Sequence, residues 1–392
     1  MKIAMFGIRG VPTHLPGVAK CAHQDLLTAG TEKAAEQLSW RLAARGHDVT
    51  VFCRKGRTLL SAPEWEGVKL VHLPCIRSKH LEAVAHTALS AAEVVRRGGF
   101  DVAHIHAIGP NLFSFVPRLA GIGTVATVHG LDFRRQKWGP VAKLALRTGS
   151  RAATTFPHRT IVVSKSLQAY YAEKGCEVAF VPNGVDDPIR RPINALAGRG
   201  LVEGGYLLFL GRLTPEKGVD LLLEAFRGVR TPMKLLVAGG GTYSGDYIGT
   251  LKRLAGMDPR VVLEAGGLYG DERLEALSNA AGFVLPSHIE GLSIALLEAM
   301  RYGLAPLVSD IPENAEVVAP FAGPTFRDGD VASLERALAR LCDDAGERAE
   351  VGRRAAENAT QYSWDRVVEQ TERVYEEAAA AAGRRVRLSG RA

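Results

Sequence analysis

The feature that most constrains this chain is a rhythm of short, continuously apolar runs, each followed by a stretch with helical apolar spacing. In the first half the runs are KIAMF (2–6), DVTVFC (48–53), KLVHL (69–73), DVAHIH (101–106), TVATVH (124–129), TIVVS (160–164) and VAFVP (178–182). Strands that are apolar on both faces, with helices between them, belong in a parallel sheet covered on both sides. Residues 187–204, DPIRRPINALAGRGLVEG, break the rhythm and are rich in Pro, Gly and Arg, which marks them as an interdomain linker. The alternation then resumes with YLLFLG (206–211), KLLVAG (234–239), RVVLEAG (260–266), GFVLP (282–286) and APLVS (305–309).

With 392 residues the chain is long enough for two such series. The expected architecture is α/β: two doubly wound, Rossmann-like domains, 1–186 and 205–363, facing each other across a cleft. The helical segment 364–381 follows the second, and the basic tail 383–392 reads as disordered. Hydrophobic residues make up 46% and charged residues 23%, and no apolar run approaches a membrane span. The opening MKIAMFGIRG reads as a first strand and not as a signal peptide. Five scattered cysteines with no C-x-x-C pair argue against a disulfide framework or a zinc site and fit a reducing cytosol. A net charge of +7 asks for an anionic partner, either a phosphorylated substrate or an anionic membrane face. The chain has no zinc-finger or RNP-type motif, so nucleic acid is not the expected partner.

Ligands of open α/β sheets bind beyond the carboxyl ends of the strands. After YLLFLG comes RLTPEKG, with Arg212 leaving the strand and Lys217 at the mouth of the next helix. One forked and one compact cation suit a diphosphate that no metal neutralises; the alternative is a pair of solvated surface charges. After GFVLPS comes HIEGLSIALLEAMRYG, in which Glu290-Gly291 reads as a turn and a helix is expected from near Leu292 to Tyr302. Gly291 admits close approach, and the amides of Leu292, Ser293 and Ile294 then point at an anion. Glu298 falls roughly 8–9 Å along the helix, about a nucleoside's reach from that diphosphate. The plain alternative makes Glu290 a turn residue and Glu298 a solvated one. His129 directly follows a strand and precedes Gly130, where it would hydrogen-bond a sugar hydroxyl or simply be a satisfied loop histidine. Gly30 opens a helix and could approach donor or acceptor. The PNGVD turn (182–186) reads as structural.

Other templates fail: the first strand is not followed by G-x-G-x-x-G, and the chain lacks a Walker A loop, a nucleophile elbow and H-E-x-x-H. The D-x-D string Asp328-Gly329-Asp330 lies past the last strand, and Asp330 reads as a helix cap, so no metal site is expected.

Together these residues resemble the group 1 family of retaining glycosyltransferases with the GT-B fold. The resemblance rests on the E-x7-E segment, the GRLTPEKG block beginning at Gly211 and the VHG step, and runs from GIRGVP to DIPENAEVV and YSW. The first-half blocks look most like bacterial transferases of polysaccharide and glycoconjugate biosynthesis. The resemblance implies that Gly211, Arg212 and Lys217 line the donor diphosphate, and that Glu290 lies near the donor sugar. Gly291, Leu292 and Ser293 would then offer amides, Glu298 would hold the ribose, His129 would touch the sugar and Gly30 would belong to the acceptor-side loop. The reacting centre is thus Glu290, His129, Arg212 and Lys217, with no general base assigned. The family also implies that the C-terminal helix crosses back onto the first domain.

The chain departs from the family at Ala29-Gly30, where Gly-Gly is usual, and in a lengthened loop at 14–27 that reads as a lid. The expected reaction is metal-independent and cofactor-free: a nucleoside diphosphate sugar, UDP-linked by family frequency, transferred to a saccharide, lipid-linked or natural-product hydroxyl. The alternatives are a nucleotide-sugar 2-epimerase of the same fold and a non-catalytic nucleotide-sugar-binding module. The segment 134–151, RRQKWGPVAKLALRTGSR, is basic with an apolar stripe and reads equally as a surface for the inner face of an anionic membrane or as a solvated helix of the first domain, the chain otherwise being expected in the cytoplasm.

Overall fold

The computed structural model describes residues 1–13, 30–76, 82–135, 138–240 and 245–383. The lid assigned to 14–27 and the tail beyond Gly383 lie outside these residues. The chain forms two compact units: Met1–Asn183 with the C-terminal helix Trp364–Ala381, and Gly184–Ser363.

The first unit is built on eight strands: β1 (Lys2–Phe6), β2 (Asp48–Arg54), β3 (Glu64–Trp65), β4 (Val68–Leu73), β5 (Val102–His106), β6 (Gly123–Val128), β7 (Arg159–Val162) and β8 (Ala179–Phe180). Their order is β3-β4-β2-β1-β5-β6-β7-β8, parallel throughout except for β3 against β4. The continuous apolar runs are buried on both faces, as in β1, where Ile3, Ala4, Met5 and Phe6 are fully enclosed. Edge-to-face contacts join Phe6 to Phe52 and Phe52 to Phe100 beneath the sheet. The helix Trp364–Ala381 packs against β6 so closely that a Cβ on Gly123 would lie 2.8 Å from the Ala379 Cα. Glu372 of that helix meets His47 at 2.8 Å, and its Tyr375 is completely buried.

The second unit carries β9 (Tyr206–Leu210), β10 (Lys234–Ala238), β11 (Val261–Glu264), β12 (Gly282–Leu285), β13 (Ala305–Ser309) and β14 (Thr325–Phe326). They form one parallel sheet in the order β11-β10-β9-β12-β13-β14. Winding reverses between β9 and β12, and between β1 and β5 in the first unit, so each sheet has a switch point at which strand-end loops diverge. Residues 187–204, read above as the linker, pack onto the second unit. The Glu275 carboxylate accepts the amides of Asn194, Ala195 and Leu196, and Arg190 donates to the Tyr302 carbonyl at 3.1 Å. The sequence reading lacks β3 and β14, because two residues are too few to show a period.

Candidate active site

At the switch point of the second unit the loops after β9 and β12 are tied together by backbone. The His288 amide donates to the Glu216 carbonyl at 2.9 Å. Gly218, with φ of +63°, runs so close that a Cβ would sit 2.1 Å from the Pro286 carbonyl oxygen. On the other flank the Leu213 amide donates to the Gly240 carbonyl at 2.9 Å, and a Cβ on Gly239 would fall 1.6 Å from the Gly211 carbonyl oxygen. Glycine at 218 and 239 thus lets three strand-end loops converge without side chains between them.

Onto this frame the charged side chains are set in pairs. Lys217 closes a short 3₁₀ turn, Pro215–Lys217, and its Nζ donates to Glu290 Oε1 from the loop after β12. Both side chains are nearly enclosed, at 13% and 9% exposure, so each compensates a charge that would be costly to bury alone. Arg212 lies 3.9 Å from Glu216. Glu298 is bound by Arg273 from the helix Gly270–Asn279. Burial opposes the Arg273 charge, but the attraction of Glu298 outweighs it and holds the guanidinium above its ordinary range. His288 Nδ1 meets Asp328 Oδ1 at 2.5 Å. Among these groups the hydroxyls of Thr214 and Ser287 are buried and have no hydrogen-bond partner among the described residues.

The helix after β12 runs Ile294–Arg301 and is capped by Ser293, whose Oγ accepts the Leu296 amide at 3.3 Å. It therefore begins two residues later than expected, because Ser293 uses its hydroxyl as the N-cap. The first-turn amides with no acceptor inside the helix are those of Ile294 and Ala295. Glu298 lies roughly 7.5 Å along the axis from Ser293. Asp330 caps the helix Val331–Asp343 through the Ser333 amide at 2.9 Å, as read from the sequence. No group of three or more His, Cys, Asp or Glu among the described residues is arranged to hold a metal ion.

The first unit presents a different surface at its strand ends. His104 and His106 share one face of β5, and His129 follows β6 directly. The His104 and His106 rings lie 4.1 Å apart, and those of His106 and His129 stack at 5.4 Å. Burial pushes His104 down to about 3 and His129 down to about 4, and holds His106 well below the histidine range, so all three are neutral at pH 7. Gly30 is the exposed first residue of the helix Gly30–Ala44.

A model of glycosyltransferase family 4 matches residues 28–187 and a model of glycosyl transferases group 1 matches residues 202–359, together taking in most of the chain. The chain belongs to the group 1 glycosyltransferases. A D-inositol 3-phosphate glycosyltransferase from Acidothermus cellulolyticus is 27% identical, over 97% of this chain and 91% of that one. Among solved structures, a sucrose-phosphate synthase from Thermosynechococcus elongatus superposes with a TM-score of 0.81 at 21% identity, over 97% of this chain and 99% of that one. An Anabaena protein in complex with UDP and glucose gives a TM-score of 0.74 at 15% identity, over 95% and 98%. The fold of this glycosyltransferase is therefore GT-B.

Of the residues picked from its sequence, the structure brings Gly211, Arg212, Lys217, Glu290, Gly291, Leu292 and Ser293 to one switch point, with Glu298 on the helix that leaves it. His129 belongs to the other unit, as does Gly30. Sequence reasoning missed Arg273, His288, Thr214, Ser287 and the two histidines of β5. No local pattern distinguishes Arg273 from a solvated helix cation. The H-x-H spacing in β5 was visible but read only as strand.

Proposed function

We propose that this glycosyltransferase is a retaining, metal-independent enzyme whose donor is a nucleoside diphosphate sugar, a UDP-sugar first among them. The observation that carries the reading is the set of paired charges at the β9–β12 switch point. Arg212 and Lys217 would take the diphosphate, with the amides before and within the first turn of Ile294–Arg301 completing an anion site. Their acidic partners keep the cations compensated until phosphate oxygens replace them. Glu298 would accept the ribose hydroxyls, and Glu290 would face the sugar. Charge that grows on the leaving phosphate meets fixed cations and dipoles, which act without reorganisation. His129, neutral and at a strand end, would hydrogen-bond a sugar hydroxyl. The acceptor would be a hydroxyl of a saccharide, lipid-linked or natural-product molecule.

A second surface bears on the acceptor. On the helix Pro140–Thr155, Val141 and Leu144 are 83% and 65% exposed, one turn apart, beside Arg147 and Arg151. An apolar stripe flanked by cations suits an anionic bilayer, where a lipid-linked acceptor would be found. No helix among the described residues is long and apolar enough to cross a membrane.

Thermal shift against UDP-, GDP- and ADP-sugars tests the donor, since a ligand at 100 times its Kd stabilises by about 2.7 kcal/mol. Anomeric NMR of the product tests the stereochemistry: an inverted linkage overturns retention. Activity abolished by EDTA and restored by Mg²⁺ or Mn²⁺ overturns metal independence. No sedimentation with anionic liposomes at low salt removes the membrane surface.

A further inference from the structure

We propose that His106 is a positioning residue that sets the tautomer of His129, so that His129 presents its Nδ1–H to the bound sugar. The proposal rests on the reading of His129 as a sugar contact. It starts from register: β5 and β6 pair His106 with Thr127, two residues before His129. His129 therefore reaches back across the strand pair, and His106 Nδ1 lies 3.1 Å from His129 Nε2. His104, next along the same face, is occupied at both ring nitrogens, by Tyr375 Oη at 2.7 Å and Thr127 Oγ1 at 2.6 Å. It offers neither donor nor acceptor to its neighbour. The two outer nitrogens of the pair, His106 Nε2 and His129 Nδ1, are both buried and have no partner among the described residues.

A neutral imidazole carries a single N–H. One of these rings must therefore donate to the other, and the remaining hydrogen falls on just one of the two outer nitrogens. His106 is 2% exposed and wedged against His104, so an N–H at its Nε2 is stranded without an acceptor. Orphaned buried N–H groups are the rarer defect in folded proteins. His129 lies past the end of β6 and its ring is half-buried, whereas His106 sits within β5, so of the two enclosed outer nitrogens His129 Nδ1 is the one that a sugar bound at the strand ends reaches by a small shift of its ring. The arrangement that strands no donor has His106 Nδ1–H donating to His129 Nε2, with the hydrogen of His129 on Nδ1. The hydrogen bond at one nitrogen of a histidine decides what the other nitrogen offers.

Two-bond ¹H–¹⁵N spectra of the full chain, labelled in its histidine rings, read the tautomer without reference to activity. The expected wild-type pattern for His129 is protonation at Nδ1; protonation at Nε2 overturns the proposal. Kinetics supplies a second readout. An asparagine amide occupies roughly the place of Nδ1, and a glutamine amide that of Nε2. His106→Asn should keep kcat within about threefold, whereas His106→Gln should lower it on the order of tenfold, with donor KM little changed. Equal effects of the two variants would mean that His106 serves packing alone. His129→Ala separates the premises: full activity in that variant removes the sugar contact, whatever tautomer the spectra show.

Discussion

At the ends of β9 and β12 the side chains are charged and already paired, whereas at the ends of β5 and β6 they are neutral, stacked and left with spare nitrogens. The first arrangement holds Lys217 against Glu290 and Arg273 against Glu298. The second holds His104, His106 and His129 below their ordinary range by burial. Both sets lie toward the carboxyl ends of parallel strands, although only β9 and β12 flank a switch point, and it is the side chains that differ in kind. A doubly wound unit with charged pairs at its switch point can exchange an internal carboxylate for a phosphate. A unit with neutral rings at its strand ends can only hydrogen-bond, which suits hydroxyls.

The largest effect should come from breaking the charged side. Arg212→Ala and Lys217→Ala should each lower kcat about a hundredfold or more, on the order of 3 kcal/mol, because their charge acts most strongly in the transition state. Arg212→Lys should recover only part, since a point charge cannot replace a fork. Steady-state kinetics with both alanine variants within threefold of wild type would erase the contrast. The neutral side predicts a pH effect of opposite origin. His104, His106 and His129 all have folded values below the unfolded histidine value near 6.5, so unfolding takes up protons there. Stability is then full above about pH 6.5 and falls as pH drops toward 4, by on the order of a few kcal/mol between pH 6.5 and 5. Urea midpoints that stay level across that window would show the rings to be solvated.

Gly218→Ala probes the frame beneath the charges. A left-handed backbone costs a side chain about 1–2 kcal/mol before the contact with Pro286 is counted, so a loss of about 2 kcal/mol or more is expected in urea unfolding. The smallest effect belongs to Glu298→Gln. It should raise donor KM up to about tenfold while leaving kcat within threefold, as expected for a hydrogen bond that takes no part in bond breaking. A fall confined to kcat would move Glu298 out of the ribose role.

Much of this was legible in the sequence, for identifiable reasons. Fully buried parallel strands write continuous apolar runs, so all but β3 and β14 could be read directly. Arg212, Lys217 and Glu290 were legible because they follow apolar strand runs, and ligands of open α/β sheets bind beyond strand ends. The partners were not legible. Lys217 and Glu290 are 73 positions apart, and nothing local tells either that the other is near. Arg273 looks like any helix cation until Glu298 is beside it. The start of the helix at Ile294 was missed by two residues because Ser293 was read as a helical amide and not as a cap. In β5 the alternation identified the face of His104 and His106, but which nitrogen meets which ring depends on register with β6.

The central claim is that the charged side of this glycosyltransferase holds the diphosphate and the neutral side does not. Isothermal titration of UDP, GDP and ADP into wild type, Lys217→Ala, Arg212→Ala and His129→Ala tests it without any need to know the acceptor. For the nucleotide that binds most tightly, the account predicts at least tenfold weaker binding in both cation variants and an unchanged Kd in His129→Ala. Unchanged binding in the cation variants, or a tenfold loss in His129→Ala alone, would contradict it.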